Sequence, residues 1–153
     1  MNRFVKVLAS GFGLGYIPYA PGTFGTLAGI PLFLLLARFS PIHYILSLVA
    51  IFIFSCFIAK KAEILFNKKD SANIVIDEVT GFIVTMARIE PSHYSVMLGF
   101  IFFRFFDIVK VYPANFFNRM QGGTAIVLDD VIAGIYANIL LRITLKYVIP
   151  YLY

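Results

Sequence analysis

The chain has 153 residues, of which 60% are hydrophobic and 14% are charged, and its formal net charge is +5. A soluble domain averages about 45–50% apolar and about 25% charged residues, so this excess of apolar surface is too large for one small soluble core. The composition predicts a single membrane-embedded domain over residues 1–153, and the dispersed basic residues favour an anionic membrane face over a nucleic-acid partner.

The predicted elements begin with a short N-terminal arm. Residues 1–20 carry Arg3 and Lys6, followed by a run rich in Gly, Tyr and Pro. This pattern predicts a short interfacial helix and a loop, and its glycines interrupt the apolar stretch too early for a signal peptide. Apolar segments then predict a compact all-α bundle of about four to five apolar helices. They cover residues 24–39, 42–59, 74–87, 94–109 and 125–149.

The distribution of basic residues predicts the orientation of these segments. Four lysines stand in the connection predicted over residues 60–73, namely Lys60, Lys61, Lys68 and Lys69. Cytoplasmic loops are enriched in Lys and Arg, so this connection, the N-terminal arm and the connection 110–123 are predicted to lie inside. The connections 38–41 and 88–93 then lie outside.

Charged residues interrupt the apolar segments at three places: Arg104-Asp107-Lys110, Asp77-Glu78 and Asp129-Asp130. Residues three apart share one face of a helix, so the first group forms a charged stripe. Charges in apolar surroundings are costly unless they are paired, bound to a metal or placed at a water-lined site. In the predicted orientation all three groups lie at the cytoplasmic face, together with the turn at 21–26.

The surroundings of Asp130 predict that its side chain points into the bundle. Ala133, Gly134 and Ala137 follow it along one helical stripe, and small residues at this spacing are typical of a close helix–helix contact. Adjacent residues point about 100° apart on a helix. One acid of each pair is therefore predicted to bind a ligand directly and the other to position it.

The turn Pro21-Gly22-Thr23-Phe24-Gly25-Thr26 opens the first apolar segment. A helix N-terminus with free amides and nearby hydroxyls is a natural phosphate site, which makes Thr23, Gly25 and Thr26 candidates for binding a substrate phosphate. Thr is also a common N-cap, so the local pattern leaves both roles open.

Carboxylates without a neighbouring His or Cys suit a hard cation, which we predict to be Mg²⁺, with Mn²⁺ or Ca²⁺ as alternatives. The predicted ligands are Asp77, Glu78, Asp107, Asp129 and Asp130. Arg104 and Lys110 are predicted to hold phosphate, and both act with Asp129 and Asp130 in catalysis. The number of bound ions, one or two, remains open. The choice between direct attack by water and a phospho-enzyme intermediate also remains open. Five acids face two local cations, so ion pairing alone would leave a surplus of negative charge.

Four blocks in this order resemble the phosphatidylglycerophosphatase A family. They are the turn at 21–26 with Pro31, Asp77-Glu78 with Gly81, Phe103-Arg104-Phe105-Phe106-Asp107-x-x-Lys110 with Pro113, and Gly122-Gly123 with Asp129-Asp130. The resemblance implies Mg²⁺-dependent hydrolysis of phosphatidylglycerophosphate to phosphatidylglycerol and phosphate, in bacterial phospholipid synthesis at the cytoplasmic face of the inner membrane. Val111 stands where the family usually has Pro, and Thr26 stands where the family often has Ser.

An alternative hypothesis is a small membrane transporter or ion-conducting protein that uses intramembrane carboxylates. Such a protein should hold its acids near the membrane midplane and often shows an internal repeat. The sequence shows no repeat, and its acids are predicted to cluster at one face. The oligomeric state stays open.

Overall fold

The computed structural model describes residues 2–68, 71–120 and 122–148. Over these residues the chain forms seven α-helices, one 3-10 turn at Leu14–Tyr16 and no strand, which confirms the all-α prediction. The helices are α1 (Asn2–Ala9), α2 (Pro21–Leu36), α3 (Pro41–Phe66), α4 (Ile76–Thr85), α5 (His93–Val109), α6 (Ala114–Arg119) and α7 (Gly123–Tyr147).

Local chemistry explains several helix ends. Pro21 and Pro41 lie in the first turns of α2 and α3, where a missing N–H costs nothing. Helix α5 begins with a capping box, in which Ser92 Oγ accepts from Ser95 N at 3.0 Å and Ser92 N donates to Ser95 Oγ at 2.8 Å. It ends at Val109, and the C-cap residue Lys110 has a left-handed φ of 49°, which stops the helix and turns the chain.

Two predicted connections are wrong in part. The connection at 60–73 is shorter than predicted, because α3 continues to Phe66. Ala59 and Ala62 are buried in a cluster with residues of α1 and α7, so the apolar stripe of α3 extends beyond the first lysines. The connection at 110–123 is not a plain loop, since it contains α6.

Two helices of the described part, α3 and α7, are long and apolar enough to cross a membrane, and α2 is a shorter apolar helix. Much of α3 faces outward, including Ile53, which is 63% exposed. An apolar outer surface of this kind is typical of a helix that faces lipid. The crossing of the other segments stays a prediction. Lys69 and Ile149, which the predicted segments included, lie outside the described residues.

Helix α7 is the centre of the bundle and packs against α3, α4, α5 and α6. It crosses α4 where both helices carry glycine. A Cβ on Gly81 would lie 2.7 Å from the Asp130 carbonyl oxygen, and a Cβ on Gly134 would overlap the Gly81 carbonyl oxygen. Asp130, Ala133 and Ala137 are buried beside this crossing, which confirms the predicted small-residue face of α7.

The main apolar core is formed by residues of α2, α4, α5 and α7. Phe33 of α2, Phe82 of α4, Phe103 of α5 and Leu141 of α7 are fully buried in one cluster. The rings of Phe82 and Phe103 meet edge to face, with centroids 6.4 Å apart. Each such side chain contributes about 1.5–3 kcal/mol of hydrophobic stabilisation. The core therefore fixes α2, α4, α5 and α7 relative to one another.

Gly134→Ala is expected to lower the thermal unfolding midpoint of the protein in detergent. The added methyl meets the backbone of α4, which cannot move aside as a flexible side chain does, and overpacking of this kind costs about 1–3 kcal/mol. Differential scanning fluorimetry measures the change. Ile135→Ala, at an exposed position one residue away, is the control and should change the midpoint little. An unchanged midpoint for Gly134→Ala would contradict the crossing.

Candidate active site

One cavity of about 320 Å³ lies where four helices bring their polar ends together. The starts of α2 and α4, the end of α5 with the residue after it, and the second turn of α7 all contribute to its wall. The lining includes all seven charged residues singled out in the sequence: Asp77, Glu78, Arg104, Asp107, Lys110, Asp129 and Asp130. The predicted convergence of these groups is confirmed.

Three of the five acids lie close enough to share one ion. Asp77, Glu78 and Asp130, hereafter the acid triad, each offer a carboxylate oxygen within 4.8 Å of the other two. Oxygens on opposite sides of a hard cation lie about 4–5 Å apart, so this spacing suits a common ligand sphere. Glu78 Oε2 and Asp130 Oδ2 are also buried without a hydrogen-bond partner among the described residues. Such atoms are costly, and a bound cation would satisfy them.

The other two acids, Asp107 and Asp129, hold the cationic side chains and are hereafter the clamp acids. Arg104 Nη1 donates to Asp107 Oδ2 at 2.5 Å. Lys110 forms an ion pair with Asp129, and its Nζ also lies 3.9 Å from Asp107 Oδ1. Asp107 therefore lies between the two cations. Both clamp acids were predicted as metal ligands, and the structure places them in ion pairs next to the triad.

The packing of these charges alters their protonation. Burial raises the pKa of Glu78 to about 8, the nearby charge of Asp130 adds to this, and a hydrogen bond with Asp77 only partly opposes it. A divalent ion bound by the triad would neutralise the repulsion between these carboxylates and would favour the ionised form of Glu78. Burial lowers the pKa of Lys110, but the hydrogen bond to Asp129 and the charges of Asp130 and Asp129 outweigh burial and raise it. Lys110 therefore stays charged at physiological pH.

Comparison with known proteins connects this cavity to a family. The family model described as phosphatidylglycerophosphatase A matches residues 7–145, a span that includes every charged residue of the cavity. The chain belongs to the phosphatidylglycerophosphatase A family. This confirms the resemblance carried by the four sequence blocks.

Curated relatives of the chain are phospholipid phosphatases by name. A phosphatidylglycerophosphatase A of Haemophilus influenzae is 36% identical over 138 residues, covering 88% of this chain and 85% of the relative. That of Escherichia coli is 32% identical over 137 residues, covering 88% and 80%. A Bacteroides thetaiotaomicron protein, named provisionally as a phosphatidylinositol-3-phosphatase, is 33% identical over 149 residues, covering 92% and 93%. No solved structure matches the chain.

Membership in this family and the two long apolar helices indicate a membrane-associated protein. The acids of the cavity lie in the first turn of α4, the last turn of α5 and about two turns into α7, rather than in the middle of these helices. The transporter hypothesis required acids near the midplane, and neither this placement nor the comparisons support it.

The turn at 21–26 contributes to the cavity through residues other than those predicted. Its wall includes Pro21 and Gly22, whereas Thr23, Gly25 and Thr26 are not among its lining residues in the described part of the chain. Thr26 is fully buried, and its Oγ1 donates to Gly22 O at 2.8 Å, one turn back. Gly25 is buried where a Cβ would lie 2.7 Å from Val75 Cβ. The alternative role of Thr23 or Thr26 as the N-cap is wrong, because the N-cap of α2 is Ala20.

Sequence reasoning missed Gly22 and Ser71 as residues of the cavity. A Cβ on Gly22 would lie 2.9 Å from Arg104 Nη1 and closer still to Glu78 Oε1, so this position has room only for hydrogen. A glycine in the first turn of a helix, where a better helix former would fit, was the signal that could have identified it. Ser71 is buried in the loop before α4 and lines the cavity. Nothing in its sequence context distinguishes it from an ordinary loop serine.

Proposed function

We propose that this chain is a metal-dependent phosphatase that removes the terminal phosphate of phosphatidylglycerophosphate, leaving phosphatidylglycerol, in bacterial phospholipid synthesis. The observation that carries the proposal is the single cavity in which the acid triad, Arg104 and Lys110 meet, in a chain that its family model matches over residues 7–145. The names of two relatives supply the substrate.

The cationic side of the cavity is suited to a phosphate monoester. Arg104 and Lys110 present fixed positive charge, and the N-terminal end of α2 adds the positive end of a helix dipole at Pro21 and Gly22. These groups would hold the phosphate and stabilise the charge that develops on its oxygens. The clamp acids would keep both side chains extended into the cavity when substrate is absent.

The acid triad is the proposed site of a hard cation. Mg²⁺ is the first candidate, with Mn²⁺ or Ca²⁺ as alternatives, because all three ligands are carboxylates. A bound ion would polarise a phosphate oxygen and lower the pKa of a coordinated water. Among the described residues, the triad is the one group of at least three acids that could hold such an ion.

The proposed reaction transfers the terminal phosphoryl group to water. The bond between phosphorus and the glycerol oxygen breaks, a bond between phosphorus and the water oxygen forms, and the released glycerol oxygen gains a proton. Attack by water directly, or through a carboxylate that is phosphorylated first, gives the same products. In either route Arg104 and Lys110 bind the group being transferred.

We place the enzyme in the bacterial cytoplasmic membrane, with the cavity at the cytoplasmic face. Lys60, Lys61 and Lys68 lie at the C-terminal end of α3, and α3 there packs beside α1, which carries Arg3 and Lys6. An excess of basic residues at one end of the spanning helices favours the cytoplasmic side for that end. The lipid substrate would then meet the cavity at headgroup level.

A second candidate substrate is a phosphatidylinositol phosphate. The Bacteroides thetaiotaomicron relative covers as much of this chain as the others and carries a different phospholipid in its name. Both lipids present a phosphate monoester on a polyol headgroup, which is the chemistry that Arg104 and Lys110 would recognise. The two differ in the bulk of the polyol beside the phosphate.

Phosphate release from defined lipids tests the function. Purified protein in detergent should release inorganic phosphate from phosphatidylglycerophosphate when Mg²⁺ is present and stop when a chelator is added. Phosphatidylinositol 3-phosphate and phosphatidic acid, assayed side by side, distinguish the second candidate and a general phosphatase. Release that continues in a chelator would contradict metal dependence, and hydrolysis of none of these lipids would contradict the function.

Asp107→Asn is expected to raise KM by about tenfold while leaving metal affinity unchanged. The change removes one negative charge that holds Arg104 and Lys110 in place, and such supporting partners typically contribute 10–100-fold to affinity or activity. Binding of Mn²⁺, followed by electron paramagnetic resonance, measures the metal site separately from turnover. Loss of Mn²⁺ binding in Asp107→Asn would show instead that Asp107 is itself a metal ligand.

A further inference from the structure

We propose that residues 2–19, hereafter the N-terminal arm, lie in the headgroup layer of an anionic bilayer and set the depth of the active-site cavity beneath it. The proposed partner is the lipid surface itself. The inference goes beyond the phosphatase proposal, because it concerns the position of the chain in the membrane and holds for any phospholipid substrate.

The first observation is the exposure of large aromatic side chains along the arm. Phe12 is 83% exposed and Tyr19 is 82% exposed, and Phe4 and Tyr16 also show most of their surface. A single exposed apolar residue is ordinary, but several aromatics in one short segment form a patch that water solvates poorly. Aromatic rings are enriched at the membrane–water interface, where an apolar body and a polar rim are both accommodated.

The second observation is the charge of the same segment. The arm carries Arg3 and Lys6 and contains no Asp or Glu. Lys6 Nζ lies 5.3 Å from the centre of the Phe66 ring at the end of α3, and Lys61 Nζ lies 4.2 Å from that of Phe57. Basic side chains that lie along aromatic surface at one end of a spanning helix are typical of contact with anionic headgroups.

The third observation is that α3, whose last turns pack against the arm, carries an exposed apolar stripe of its own. Ile64, near the end of α3, is 72% exposed, and Phe57 and Ile53 extend this stripe toward the middle of the helix. Because α3 is long and apolar enough to cross a membrane, its outer face and the patch on the arm are covered together by one bilayer. A small protein partner would cover the arm and leave the rest of this surface in water.

The arm is also joined to the active site. Val75 N donates to Ala9 O at 2.8 Å, and a Cβ on Gly15 would lie 2.9 Å from the carbonyl carbon of Asn73. Val75 stands two residues before Asp77, the first member of the acid triad. Because these contacts hold the arm against the start of α4, the depth of the arm in the headgroup layer also sets the depth of the triad.

The absence of Trp from the chain makes a direct depth measurement available. Phe12→Trp and Tyr19→Trp each introduce the sole indole at a highly exposed aromatic position, where folding is little affected. Each variant is reconstituted in vesicles of phosphatidylcholine and phosphatidylglycerol that contain lipids brominated either near the glycerol ester or near the chain end. Ile53→Trp, at an exposed position within α3, serves as the matched control for a deep residue.

The proposal expects both arm variants to emit at shorter wavelength than in denaturant and to be quenched more strongly by the shallow bromine. Ile53→Trp should be quenched more strongly by the deep bromine. Removing phosphatidylglycerol from the vesicles should reduce quenching of the arm variants and leave Ile53→Trp unchanged. Arm variants that bromolipids do not quench would overturn the proposal, whether their emission stays at the water-exposed wavelength or shifts as it would in contact with another protein.

Discussion

Asp130→Asn is expected to lower kcat/KM by about a thousandfold, the scale on which loss of one preorganised electrostatic group slows an enzyme. Asp130 is buried, belongs to the acid triad and has a carboxylate oxygen without a partner among the described residues. The amide removes one negative charge from the proposed cation site and places an N–H donor where an acceptor is needed. Metal affinity and turnover should therefore fall together.

Two measurements check this expectation. Mn²⁺ titration by electron paramagnetic resonance should show weakened binding in Asp130→Asn, and phosphate release should fall at every Mg²⁺ concentration tested. Glu90→Gln is the matched control, since it makes the same chemical change at an exposed residue outside the cavity lining. A variant that binds Mn²⁺ and hydrolyses lipid as the parent does would remove Asp130 from the site.

Gly22→Ala is expected to lower kcat/KM by about a hundredfold, because a displacement of about 1 Å in a catalytic arrangement can cost that much. The new methyl would meet Glu78 Oε1 and Arg104 Nη1, so it would push apart a member of the triad and a phosphate-binding side chain. Helix stability should not suffer, since Ala is favoured over Gly in helices by about 1 kcal/mol. The expected result is a folded protein with little activity.

Gly29→Ala on the same helix separates the two effects. Its added Cβ would lie 2.9 Å from Phe82 Cδ1 in the apolar core, away from the cavity. We expect this variant to lose thermal stability while the folded fraction keeps its kcat. Gly22→Ala should therefore lose activity and keep its unfolding midpoint, whereas Gly29→Ala should keep its kcat and unfold at a lower temperature. Enzyme kinetics and scanning fluorimetry measure these two quantities. Equal activity in Gly22→Ala and the parent would contradict the close approach of α2 to Glu78 and Arg104.

The sequence predicted the convergence of the charged residues well, because charges in apolar helices are rare and their positions at helix ends follow from chain alternation. It predicted the small-residue face of α7 for a similar reason, since Ala133, Gly134 and Ala137 recur at helical spacing. It predicted the polar connections less well. Lysine alone does not end a helix, so α3 continued through Lys60 and Lys61 to Phe66.

The turn at 21–26 shows a different limit of sequence reasoning. Thr23 and Thr26 have the hydroxyls that a phosphate site uses, and Gly22 has no side chain at all. Which residues reach the cavity depends on how α2 is rotated about its axis when Phe33 enters the core, and that rotation turns Thr26 inward and Gly22 toward Glu78. No local pattern records this rotation.

By itself, the sequence determined an all-α chain with apolar segments of membrane character and a set of charges at one end of them, because helical periodicity and the cost of unpaired charge act locally along the chain. The tertiary structure alone decided which acids share the cavity as a triad and which hold Arg104 and Lys110. That division depends on distances between side chains of different helices. Those distances are set by the close crossing of α4 and α7 at Gly81 and Gly134 and by the core that positions α5, and spacing along the chain does not contain them.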